Sequence, residues 1–107
     1  MSGRSVAKGT IRWRRGSVNV DGHGGRFAEP AVLCRGLAVH ALPSRGVHNY
    51  RVTHVASGRA IDPFFDSRAA AFAWARRLLA LGDWTGSADV MLRRFGRRVR
   101  RMQEALK

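Results

Sequence analysis

Residues 50–81 read YRVTHVASGRAIDPFFDSRAAAFAWARRLLAL, and the hydrophobic period changes within them from two to 3.6. Tyr50, Val52 and His54 fall on one face of an extended segment, with Arg51, Thr53 and Val55 on the other. Ser57-Gly58 supplies a turn, and Arg59 to Ile61 begins a return strand, so the segment predicts a hairpin. DPFFD (62–66) then redirects the chain, and Asp66 or Ser67 is placed to cap a helix by accepting from a free amide of its first turn. The helix is expected over Arg68 to Leu81. Its buried stripe is Ala71, Phe72, Ala75, Leu78 and Leu79, with Trp74 beside it. Arg76 and Arg77 lie opposite and late, where they suit the negative end of the helix dipole, and Gly82 stops the helix. Alanines at 69, 70, 71, 73 and 75 let this helix lie close to a sheet.

Toward the C-terminus, DWTG (83–86) is a short link and Ser87 is the expected cap of a second helix, SADVMLRRFGRRVRRMQEALK (87–107), with Asp89 in its first turn. Ala88, Leu92, Phe95, Val99, Met102 and Leu106 recur at three-four spacing and predict an apolar seam. Arg93, Arg94, Arg97, Arg98, Arg100 and Arg101 fill the remaining positions. Gly96 costs about 1 kcal/mol relative to Ala inside a helix and marks a close approach or a weak point.

Toward the N-terminus, AVLCRGLAVHAL (31–42) reads as one strand with a bulge at Gly36. PSRGVHN (43–49) is a connecting loop and DGHGGRFAEP (21–30) a second one. The GHGG run lacks the Gly, Lys and Ser/Thr of a phosphate-cradling loop. In residues 10–20, Ile11, Trp13, Val18 and Val20 alternate with polar neighbours. This predicts a hairpin, or a strand bulged at Gly16. Residues 1–9 read as a flexible basic arm carrying Arg4 and Lys8.

Strands followed by two helices imply the α+β class: a small antiparallel sheet of three to four strands packed against one helix, then a long basic amphipathic C-terminal helix. The division is an arm over 1–9, an α+β core domain over 10–86, and a helix over 87–107 packed on the core or on a partner.

Twenty basic residues face seven acidic ones, a formal net charge of +13, and eighteen of the twenty are Arg. Such a surplus attracts polyanions. Cys34 is the only cysteine, which excludes an intramolecular disulfide and fits a reducing, cytoplasmic setting. Neither a secretory leader nor an apolar run of membrane-spanning length is read in the sequence. The histidines at 23, 40, 48 and 54 have no ligand spacing, so neither a metal site nor a cofactor is expected. The carboxylates Asp62, Asp66, Asp83 and Asp89 fall at caps and turns, Cys34 has no evident His partner, and the expectation is a non-enzyme.

YRVTHVASGRAI and SRAAAFAWARRLLALGDW, within residues 50–84, resemble small proteins of phages, plasmids and high-GC bacterial genomes. The same stretch resembles the arm-type, sheet-plus-helix DNA-binding domain of tyrosine recombinases, which implies a mobile-element origin; no recombinase catalytic domain accompanies it.

The leading expectation is a nucleic-acid-binding protein. Phosphate contacts are expected from Arg93, Arg94, Arg97, Arg98, Arg100 and Arg101, with Arg12, Arg14 and Arg15 of the first strand adding charge. The alternative is a protein-binding inhibitor that occludes a host complex, as inhibitors of CRISPR immunity do. Its anchor would be Trp84 or the seam of Leu92, Phe95, Val99, Met102 and Leu106, and the same seam offers a homodimer interface.

Overall fold

The computed structural model describes residues 11–22, 25–41 and 49–107. The N-terminal segment with Arg4 and Lys8, His23 and Gly24 of GHGG, and residues 42–48 lie outside the described residues.

Five strands form one antiparallel sheet: β1 (Arg14–Gly22), β2 (Gly25–Cys34), β3 (Leu37–Ala41), β4 (Tyr50–His54) and β5 (Arg59–Ala60). Their order in the sheet is their order in the chain. Two helices follow, α1 (Arg68–Leu79) and α2 (Ala88–Ala105). The α+β class stands, but the strand count exceeds the three to four expected.

Two stretches account for the difference. Residues 31–42 are two strands, not one strand with a bulge. Arg35 at φ 47° and Gly36 at φ 90° form the two-residue turn between Cys34 and Leu37, a backbone twist that matches antiparallel partners. Residues 25–30, expected as loop, continue β2 and pair with β1, Ser17 opposite Pro30 and Val20 opposite Phe27. β1 runs through Gly16 without a bulge, in register with Ala31.

The register assigns two faces. Cys34, Leu37, Val39 and Val52 lie on the face covered by the helices and share one buried cluster with Ala71, Trp74, Leu78, Trp84, Met91, Phe95 and Val99. On the other face Val18, Val20, Ala31 and Ala38 form a second, smaller cluster, with Leu33 and Val55 packed on it. The sheet coils to close that cluster. Gly58 of the β4–β5 turn faces the Asn19 carbonyl and the Arg26 guanidinium, at 2.8 and 2.7 Å from where a Cβ would stand.

Ser67 caps α1 through the Ala70 amide, and Ser87 caps α2 through the Val90 amide. The Trp74 indole N–H donates to the Ile61 carbonyl at 3.0 Å, tying α1 to the strand β5 side. On the other flank of α1, Phe72 meets Trp13 edge-on, with centroids 4.9 Å apart. The DWTG link is not a simple spacer. Its Trp84 is buried, bonds the Leu78 carbonyl at 2.8 Å, and lies 4.8 Å from the Phe95 ring. Its amide bonds the Arg35 carbonyl in the β2–β3 turn at 2.9 Å.

Candidate nucleic-acid interface

α2 carries the densest charge of the molecule, and its rotation about its axis decides what that charge meets. The buried residues of α2 are Met91, Phe95 and Val99, at successive spacings of four. Met102 is half-buried beside them, and Gln103 donates from Nε2 to the Asp62 carbonyl at 3.0 Å, pinning the far end. The predicted seam is therefore rotated by one residue at its start. Met91 takes the core position and Leu92 is 61% exposed.

At about 100° per residue the six arginines then spread over roughly 160° of the outward side. Arg93, Arg94, Arg97, Arg98, Arg100 and Arg101 are all exposed. None of them makes an ion pair or hydrogen bond with a described residue. Arg98 lies 5.9 Å from the Phe95 ring centroid, which holds its stem against the helix. Arg94 stands near Asp83, whose carboxyl lies below its ordinary range. The Thr85 hydroxyl is the main cause, then the Thr85 amide, against a smaller opposing effect of burial, with Arg35 and Arg94 adding to the lowering.

Arg12, Arg14 and Arg15 are exposed as well, but not beside α2. β1 is one edge of the sheet and β5 the other. Trp13 leans on the Phe72 flank of α1, whereas α2 reaches Asp62 just past β5, so α1 separates the two groups. Arg76 and Arg77 are exposed on the last turn of α1 and were not among the expected contact residues. Their positions opposite the Ala71–Leu78 stripe were the signal that could have included them.

Three of the expected interface anchors belong to the protein's own core. Trp84 is 4% exposed, and Phe95 and Val99 are also buried. The physical reason is the Trp84 ring itself: it fills the space between the β2–β3 turn and α2, and Phe95 packs on it. Of the remaining candidates, Met102 is half-buried, and Leu92 and Leu106 are exposed.

Two histidines are buried and both are occupied. The Gly86 carbonyl can only accept, so His54 Nε2 carries the proton it donates at 2.8 Å, and Nδ1 accepts from the Ser57 hydroxyl at 2.8 Å. By the same logic His40 Nδ1 donates to the Ala41 carbonyl at 3.3 Å and Nε2 accepts from the Thr53 hydroxyl at 2.7 Å. Among the described residues no group of His, Cys, Asp or Glu is arranged to hold a metal ion. No helix among them is long and apolar enough to cross a membrane.

Comparison with protein-family models, with curated proteins and with solved structures returns no match.

Proposed function

We propose that this is a non-enzymatic nucleic-acid-binding protein that grips the phosphate backbone through the outward face of α2. The observation that carries the reading is the separation of roles on that helix. Met91, Phe95 and Val99 are buried in the core, and six exposed guanidinium groups on the other side make no ion pair or hydrogen bond with a described residue. Guanidinium groups on a rigid helix suit bidentate phosphate contact. Arg dominates the exposed side, and Gln103, the helix's one carboxamide, is engaged by Asp62, so the reading is backbone grip rather than base readout.

The experiment is binding of the purified protein to a labelled DNA duplex, a DNA single strand and an RNA across a salt series. Affinity that persists at physiological salt, falls linearly in log–log form and ranks the three ligands supports the reading. Equal binding to all three, lost above low salt, would reduce the +13 charge to non-specific attraction and end it.

A further inference from the structure

Between α2 and the β4–β5 hairpin lies a groove of about 290 Å³. Aliphatic Ile61, Met91 and Val99 line it beside Trp84 and His54, and so does the exposed side chain of Leu92. Arg59 and Arg100 line it as well, from the hairpin and from the helix, and no Asp or Glu does. Neither arginine side chain has a hydrogen-bond or ion-pair partner among the described residues. Gly96 keeps the groove open: a Cβ there would meet only Leu92 Cδ2, at 3.7 Å. A helix-interior glycine is unfavourable on its own terms, and here it stands where any larger side chain would fill the groove.

We infer that this groove docks an acidic peptide segment of a partner protein, with one apolar side chain seated against Ile61 and Leu92 and its flanking carboxylates on Arg59 and Arg100. Charge complementarity selects the peptide's sign, since the lining is cationic and the whole chain is strongly basic. The apolar lining selects its anchor. A nucleobase needs an open aromatic face to stack on. Trp84 and His54 line the groove, but Phe95 packs on the Trp84 ring at 4.8 Å and the His54 ring nitrogens are taken by Ser57 and Gly86, so neither offers an open face. An aliphatic slot flanked by arginines fits a leucine-sized side chain between carboxylates. Arg100 belongs to both the groove and the outward arginine face, but the apolar seat of Ile61, Met91 and Val99 belongs to the groove alone, so a preference for an apolar anchor does not depend on nucleic-acid binding.

The test uses the full chain and three fluorescein-labelled probes: a seven-residue peptide of Asp and Glu with a central Leu, the same peptide with a central Ala, and oligo-dT of eight nucleotides. The Leu peptide should bind about tenfold tighter than the Ala peptide, the gain from one buried aliphatic side chain. It should shift the backbone amide resonances of Ala60, Leu92 and Gly96. Gly96→Leu should abolish the Leu-over-Ala preference while the circular dichroism spectrum stays native. Leu92→Asp, at an exposed position, should do the same by removing the apolar wall on which the central Leu is seated. Equal binding of the two peptides, or a preference that survives both substitutions, would overturn the inference. Oligo-dT that displaces the Leu peptide and shifts the same three amides would assign the groove to nucleic acid and overturn it equally. Loss of oligo-dT binding with the peptide preference intact would count only against the outward arginine face.

Discussion

The Trp84 indole N–H donates to the Leu78 carbonyl oxygen at 2.8 Å, joining the link between the helices to the last turn of α1. That carbonyl lies in the last turn of the helix and also accepts from the Leu81 amide at 3.0 Å, so the indole N–H fills its second acceptor position as well as seating the ring. Trp84→Phe should keep most of the packing on Phe95 and leave the carbonyl with the Leu81 amide alone, at a cost of about 0.5–1.5 kcal/mol for the lost bond. Trp84→Ala should cost about 3–5 kcal/mol by opening a cavity between the β2–β3 turn and α2. Urea denaturation of both variants checks the order, and equal losses would show that packing alone matters.

Gly36 and Gly96 make opposite predictions from the same atom. At Gly36 the backbone sits at φ 90°, and a Cβ would stand 2.3 Å from both the carbonyl carbon and oxygen of Trp84. Gly36→Ala should therefore lose at least about 2 kcal/mol, combining left-handed strain with a backbone clash. At Gly96 the helix is regular and the space is open, so Gly96→Ala should gain about 1 kcal/mol. Thermal melts of the two variants, moving in opposite directions from the parent, check the pair.

Those two glycines also mark what the sequence did and did not disclose. Ser67 and Ser87 were legible because N-caps are local chemistry, whereas the stop expected at Gly82 comes earlier, the helix ending at Leu79 with Ala80 as its cap. The turn at Arg35-Gly36 was not. AVLCRGLAVHAL is apolar on both sides because β2 and β3 are buried on both faces there, in two separate clusters. Alternation, the usual strand signal, is erased in such a run. Arg35 in a positive-φ position gave no cue, since that role usually falls to Gly, Asn or Asp. On α2 the arginine positions were legible, but the rotation was not. Met91 and Leu92 are adjacent apolar residues, and which faces inward is decided by the tertiary cluster that Met91 joins, Trp84 among it. Trp84 looked like a surface anchor because it sits in a short polar link; its burial depends on the distant β2–β3 turn.

Acid should weaken the fold through His40. Burial is the main cause that pushes this imidazole below its ordinary 6.5, with Arg51 adding to it and the Ala41 carbonyl and Glu29 opposing. Above pH 6.5 the ring is neutral in both the folded and unfolded chain. As pH falls below 6.5 the unfolded chain takes up a proton that the folded chain resists, so stability declines toward the lowered folded pKa. His40→Gln, which can still bond Thr53, should flatten part of that decline. Urea midpoints of parent and variant at about pH 7.5 and pH 5.5 measure it, and parallel losses would place the acid sensitivity in other groups.

The arginine face predicts an unequal response to removing equal charge. Arg97→Ala plus Arg101→Ala removes two guanidinium groups from the centre of the outward side of α2, and Arg12→Ala plus Arg14→Ala removes two from the opposite edge of the sheet. Each pair lowers the net charge by the same amount. If the phosphates lie along α2, the first pair should reduce the log–log salt slope for a DNA duplex by roughly 1.8, two contacts at about 0.9 each, while the second changes it much less. Exposed arginines without partners should alter stability by no more than about 0.5 kcal/mol apiece, so the loss is not an unfolding effect. Fluorescence anisotropy across a salt series, with a thermal melt of each variant, decides the matter. Identical slopes for the two pairs would mean that the duplex senses only net charge, and α2 would lose its special place.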